Sequence, residues 1–307
     1  MRISSNTIYE AGVSAMQQQN AKLLQAQQQI STGRRILTPA DDPIGAAQAL
    51  QVTQAQTMNA QYSTNAGSAS DSLTLEESVL GNITSLLQDV RDISVTAGNG
   101  ALSSKERAML ATDLSGRYQQ LLGLANTVDG NGQYLFSGYQ GGVRPFTQTA
   151  PGTIDYNGDQ GQRLIQISAS EQLAVSDAGS DVFQRIPNVA GGYQDVFKTI
   201  DNLVQLLQTS PGGAGLSTGL AAAMSNIDNA LDNVSAVRAS AGSRLKELDA
   251  IQNAGEDRAL QYSQTLSRLQ DVDYAKAAAE LMQQQVSLQA AQQTYVKVAG
   301  LSLFNYL

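Results

Sequence analysis

The chain has 307 residues, a net charge of −8 and a pI near 4.6, and it contains no cysteine, histidine or tryptophan. Without cysteine there is no disulfide, zinc–thiolate site or thiol nucleophile, and without histidine the Ser-His-Asp and His-metal classes fall away, so the only enzyme left is a carboxylate one. An acidic chain with no basic stripe is a poor ligand for nucleic acid or an anionic membrane, and no apolar run nears the ~20 residues of a membrane span.

The first twelve residues, MRISSNTIYEAG, lack the apolar stretch of a cleavable secretion signal. A soluble chain is expected, and its export, if any, runs without a classical signal peptide. A helix follows over 13–30, with the stripe Val13, Met16, Asn20, Leu23, Gln27 and Ile30 in alternating steps of three and four. Thr38-Pro39-Ala40-Asp41-Asp42-Pro43 then breaks the pattern, and Asp42 can cap a helix that has Pro43 at its first position. That helix is predicted over 44–96, with Ala55, Tyr62, Ala69, Leu73, Leu80, Ile83, Leu87 and Val90 on one stripe. Ser103 and Glu106 read as a capping box for the next helix, which carries Leu110, Leu114, Tyr118, Leu121, Ala125 and Val128 and stops at Asp129-Gly130-Asn131-Gly132.

Residues 133–186 are rich in glycine, threonine and tyrosine. Gln133–Ser137 and Arg163–Ile167 read as strands, and Asn157-Gly158-Asp159 as a hairpin turn. Helical spacing returns at Val196, Ile200, Leu203 and Leu207, and Pro211-Gly212-Gly213 ends it. From Leu220 onward the stripe runs without proline into the C-terminal segment; if residues 217–303 were one helix it would span ~130 Å, with Gly242 and Gly255 as places to bend.

The C-terminal segment carries two adjacent stripes. One is Val272, Ala275, Ala279, Met282, Val286, Gln289, Gln293, Val296, Gly300, Leu303 and Leu307. The other is Ala278, Leu281, Gln285, Leu288, Gln292, Tyr295, Ala299, Ser302 and Tyr306. Two stripes offer two packing faces, one for the N-terminal helix of the same chain and one for a neighbouring molecule. Too few of these residues are large and apolar for either terminal helix to be stable alone. The glutamines read either as solvated surface or as hydrogen-bonding register marks inside the seams.

The expected architecture is mainly α with a small β insertion, as an elongated rod of long coiled helices with paired ends and the β-rich part at the distal tip. Residues 1–40 with 271–307 would form a terminal coiled-coil domain, 41–132 with 187–270 a helical rod, and 133–186 a β-rich outer domain. Asp41-Asp42 and Asp271/Asp273 read as helix caps, or as an acid/base or cation pair. Asp155, Asp159, Asp177 and Asp181 lack any recognised calcium spacing. No catalytic, metal or cofactor site is expected.

Thr38–Pro43 resembles the turn after the first helix of flagellin-type axial proteins, and Asp271-Val272-Asp273-Tyr274-Ala275 resembles the start of their C-terminal helix. Gln289–Tyr295 and the ending Leu301–Leu307 resemble the branch that joins flagellar hook to filament. The resemblance implies an extracellular flagellar subunit that uses type III flagellar export and a cytoplasmic export chaperone. It implies a ring of copies between the first hook–filament junction protein and flagellin, with the terminal helices as inner tube. Val13, Met16, Leu23, Ile30, Leu281, Met282, Val286, Leu288, Tyr295, Val296, Leu303 and Phe304 would make the assembly contacts. A filament flagellin and an axial protein with a ligand-binding insertion remain the alternatives.

Overall fold

A computed structural model describes residues 5–150, 152–188, 192–210 and 212–300. Among the described residues there are seven helices: α1 (Ser5–Thr32), α2 (Pro43–Ala97), α3 (Ser104–Ala125), α4 (Gly179–Phe183), α5 (Val196–Thr209), α6 (Ala214–Gln270) and α7 (Tyr274–Gly300). Three separate antiparallel pairs complete it: β1 (Phe146–Ala150) with β2 (Thr153–Tyr156), β3 (Leu164–Gln166) with β4 (Gln172–Ala174), and β5 (Ile186–Pro187) with β6 (Tyr193–Gln194). The chain is mainly α, as expected, and divides into two compact units, 1–59 with 257–307 and 60–256.

In the first unit α1 ends at Gly33, whose φ of +70° suits a residue without Cβ. The following loop is tied to the end of α6. Arg34 bridges Asp271, Arg35 N donates to Gln270 O at 2.6 Å, and Val272 N donates to Gly33 O at 2.9 Å. Asp42 starts α2 as its sequence suggested, accepting Gly45 N–H at 2.9 Å. The long C-terminal helix is not continuous. It breaks at Asp271–Asp273, where Asp273 Oδ1 accepts the N–H groups of Ala275 and Lys276 and opens α7, while Gly242 and Gly255 lie inside α6. An aspartate that offers the backbone another hydrogen-bonded route stops a helix that apolar spacing alone would continue.

In the second unit the core is built from rows at helical spacing: Leu80, Ile83, Leu87 and Val90 of α2, Leu114 and Leu121 of α3, Ile200 and Leu203 of α5, and Ile227 and Val234 of α6. The predicted capping box is present, with Glu106 N–H donating to Ser103 Oγ and Ser103 N–H donating to Glu106 Oε2. Four phenylalanines, Phe136, Phe146, Phe183 and Phe197, are fully enclosed beside these rows. A second cluster joins Ala66, Ala69 and Leu73 of α2 and Ala241 and Leu248 of α6 to Ile167, Leu173 and Val175 of the β3–β4 hairpin. Isolated two-stranded pairs are marginal in water, so these hairpins stand because helices cover their apolar faces.

Two strand-level expectations are corrected. Residues 133–137 form turns with a single bridge, Val128 to Tyr134, because Phe136 and Ser137 are turned into the core instead of paired in a ladder. Asn157-Gly158-Asp159 is not the hairpin turn. The β1–β2 chain reverses between Ala150 and Thr153, with Gly152 at φ +72°, and Asp159 Oδ1 instead accepts the N–H groups of Tyr139 and Gly161.

Asp195 caps α5 through Phe197 N–H at 2.7 Å and Lys198 N–H at 3.2 Å, and its other oxygen accepts from Gln184 Nε2 at 3.0 Å. Asp195→Ala is expected to cost about 1–2 kcal/mol in urea denaturation, since it strips a cap and strands a buried amide, whereas Asp195→Asn keeps the cap and most of the stability. Equal losses for both variants would mean that charge, not capping, is what matters there.

Candidate assembly surface on the terminal helices

α1 and α7 pair with each other within the first unit. The covered row on α1 is Gly12, Met16, Gln19, Leu23, Ala26 and Ile30, and on α7 it is Ala277, Leu281, Gln284, Leu288, Ala291 and Tyr295. Both rows step by four and three, the heptad spacing that keeps one face toward a partner helix. Small residues admit large ones across the seam. A Cβ added to Gly12 would lie 3.0 Å from the Tyr295 ring, and one added to Gly33 would lie 3.0 Å from the Tyr274 hydroxyl. Gly12 thus opposes Tyr295 and Gly33 opposes Tyr274, which makes the pair antiparallel with matched spacing on both sides.

The predicted rows were rotated by one residue. Met16, Leu23 and Ile30 lie in the covered row of α1, but its other members are Gly12, Gln19 and Ala26, while Val13, Asn20 and Gln27 are exposed. On α7 Leu281, Leu288 and Tyr295 are covered as expected, with Ala277, Gln284 and Ala291 in place of Ala278, Gln285 and Gln292. Glycine and alanine win these positions because they let two backbones approach closely, which periodicity in hydrophobicity does not register. The glutamines of the predicted stripes point to solvent. At the pair itself Gln19 Oε1 is enclosed and accepts no hydrogen bond within the chain.

The other stripe of α7 is left uncovered. Met282, Val286 and Val296 are 67%, 65% and 69% exposed, with Gln289 and Gln293 between them on the same row. Val13 is 38% exposed on α1. Three large apolar side chains thus share one solvent-facing helical row. Leu303 and Phe304 lie outside the described residues.

The acidic pairs are structural. Asp41 Oδ2 accepts Leu37 and Thr38 N–H, and the Thr38 bond is the main influence holding its carboxyl below the usual range. Asp42 is held low by Gly45 N–H and by the guanidinium of Arg35, 3.2 Å away. Asp177 pairs with Arg244 and Asp181 with Arg185, and among the described residues no group of three or more acidic side chains is placed to hold a metal ion. A groove of about 700 Å³ lies beside the β3–β4 hairpin, lined by Ser68, Asp71, Asn131, Tyr139 and Arg163 among others. Among the described residues, no helix is long and apolar enough to cross a membrane.

Paired terminal helices, a helical core and small β hairpins inserted between α3 and α5 define a helical axial subunit. Residues 3–141 match the bacterial flagellin N-terminal helical region and residues 224–307 the bacterial flagellin C-terminal helical region. Flagellar hook-associated protein 3 of Salmonella typhimurium is 36% identical, with 99% of each chain covered. A flagellin of Listeria innocua is 26% identical over 79% of this chain and 85% of its own. The flagellar junction protein FlgL of Legionella pneumophila, 21% identical, superposes with a TM-score of 0.64 over 73% of this chain and all of its own, which establishes the fold. The chain belongs to the flagellin family, in its hook-associated protein 3 branch.

Proposed function

We propose that this chain is a structural subunit of the bacterial flagellum, an adaptor that joins the hook, through the first junction protein, to the flagellin filament. The hook-associated relative matches end to end at higher identity than the flagellin does, which favours the junction role over the filament role. The observation that carries the mechanism is the uncovered row Met282, Val286 and Val296 beside a row already filled by α1. The filled row holds the chain to itself and the open row holds it to copies above and below. In this reading residues 1–40 with 271–307 form the inner tube, 41–132 with 187–270 the surrounding helical layer, and 133–186 the outer face.

Copies form a ring, and the protein performs no catalysis. Before export a cytoplasmic chaperone covers α7, because an exposed apolar row invites premature association. Export uses the flagellar channel without a cleaved signal. Labelled antibody viewed by electron microscopy on isolated flagella tests the reading. One band just beyond the hook is expected. Label along the whole filament would make this a flagellin, and absence of label from flagella would end the proposal.

A further inference from the structure

The β3–β4 hairpin is fastened to α2 and α6 through acidic side chains just past β4. Glu76 of α2 is 1% exposed. Its Oε1 accepts the N–H of Asp177, just past β4, at 3.0 Å, and its Oε2 is enclosed with no hydrogen-bond partner. Asp177 is itself held by Arg244 of α6 and by Gln162 Nε2 at 2.8 Å, and Arg244 also donates to Ala174 O at 3.1 Å. Arg163, at the start of β3, spends Nη1 on Gln133 Oε1 at 2.6 Å and on Asp129 at 3.8 Å.

We propose that the hairpin is a proton-gated clasp: Glu76 as the neutral acid lets Ile165, Ile167, Leu173 and Val175 stay on α2 and α6, and loss of its proton frees that apolar face. The groups facing Glu76 are Asp177, Arg244 and Arg163; Arg244 is taken up by Asp177 and Ala174 O, while Arg163 spends Nη1 on Gln133 and Asp129 and its buried Nε and Nη2 have no partner. Burial first, then the charge of Asp177, pushes the Glu76 carboxyl up to about 8, against the smaller opposing pulls of the Asp177 N–H bond and then of Arg244 and Arg163. The closed hairpin therefore binds a proton that the open one, with an ordinary exposed glutamate, has released. Opening becomes about tenfold easier per pH unit from roughly 4.5 to 8 and levels off above that.

Hydrogen exchange of the full chain, corrected for intrinsic rates, tests this. Between about pH 5.5 and 7.5, protection of residues 164–174 is expected to fall at least tenfold, towards a linkage limit of roughly 100-fold, while α3 and α5 stay protected. Glu76→Gln keeps the acceptor for Asp177 N–H and is expected to remove the pH dependence. The same dependence in both proteins, or none in the parent, overturns the proposal. If the variant does not fold, carboxyl NMR of the parent chain decides: a Glu76 midpoint near 8 supports the clasp, and one near the ordinary carboxylate value overturns it.

Discussion

A chain carrying Val286→Glu and Val296→Glu together is expected to fold with an unchanged melting temperature and to leave cells unable to swim. Both valines are about two-thirds exposed in the single chain, so added carboxylates cost its folding almost nothing. If the row is covered in the assembly, each carboxylate becomes a buried charge without a partner, which costs several kcal/mol. The proposed ring would repeat that cost in every subunit. Under the proposed export route the protein should then reach the medium as free chain. Swimming assays, the amount of chain in the medium and thermal melting together give the answer. Val286→Leu, which keeps the row apolar, is expected to swim. Normal swimming by the double variant, or a large drop in its melting temperature, would show that the row is not an assembly face.

Phe146→Ala is expected to cost about 3–5 kcal/mol, a large share of the 5–15 kcal/mol typical of a whole domain. Phe146 is fully enclosed, with ring centroids 5.1 Å from Tyr156, 5.2 Å from Phe183 and 5.3 Å from Phe197. The site is poorly able to collapse around a cavity. Asn126 clamps the Phe146 backbone on both sides, its Oδ1 accepting Phe146 N–H and its Nδ2 donating to Phe146 O, each at 3.0 Å. A rigid wall leaves the cavity open, which places the loss toward the upper end of the range. Phe146→Leu, which refills most of the volume, should lose under about 1.5 kcal/mol. Denaturant midpoints measure both, and a loss under about 1 kcal/mol for the alanine variant would mean that the aromatic cluster is not what holds the β1–β2 hairpin.

Local grammar was legible wherever a residue acts on its own neighbours. Asp42 with Pro43 starts α2, and Ser103 with Glu106 starts α3. The core rows of α2, α3 and α5 followed from spacing, because a helix that buries one face must repeat apolar residues every three to four positions. The aromatic cluster left no such trace. Glu76 did leave one, since it falls between Leu73 and Leu80 on the apolar stripe of α2, but its partners were not legible, because Asp177 and Arg244 arrive from distant segments.

The sequence by itself determined the helical class, the caps, the pairing of the two ends and the presence of two rows on α7, since all of these follow from short-range periodicity and backbone chemistry. Only the tertiary structure decided which row faces α1 and how residues 133–150 and 152–159 run. Those outcomes depend on how closely two backbones can approach, as at Gly12 against Tyr295, and on hydrogen bonds between remote segments, as at Asp271 with Arg34. Close approach and remote pairing are properties of two surfaces together, and neither surface states them alone.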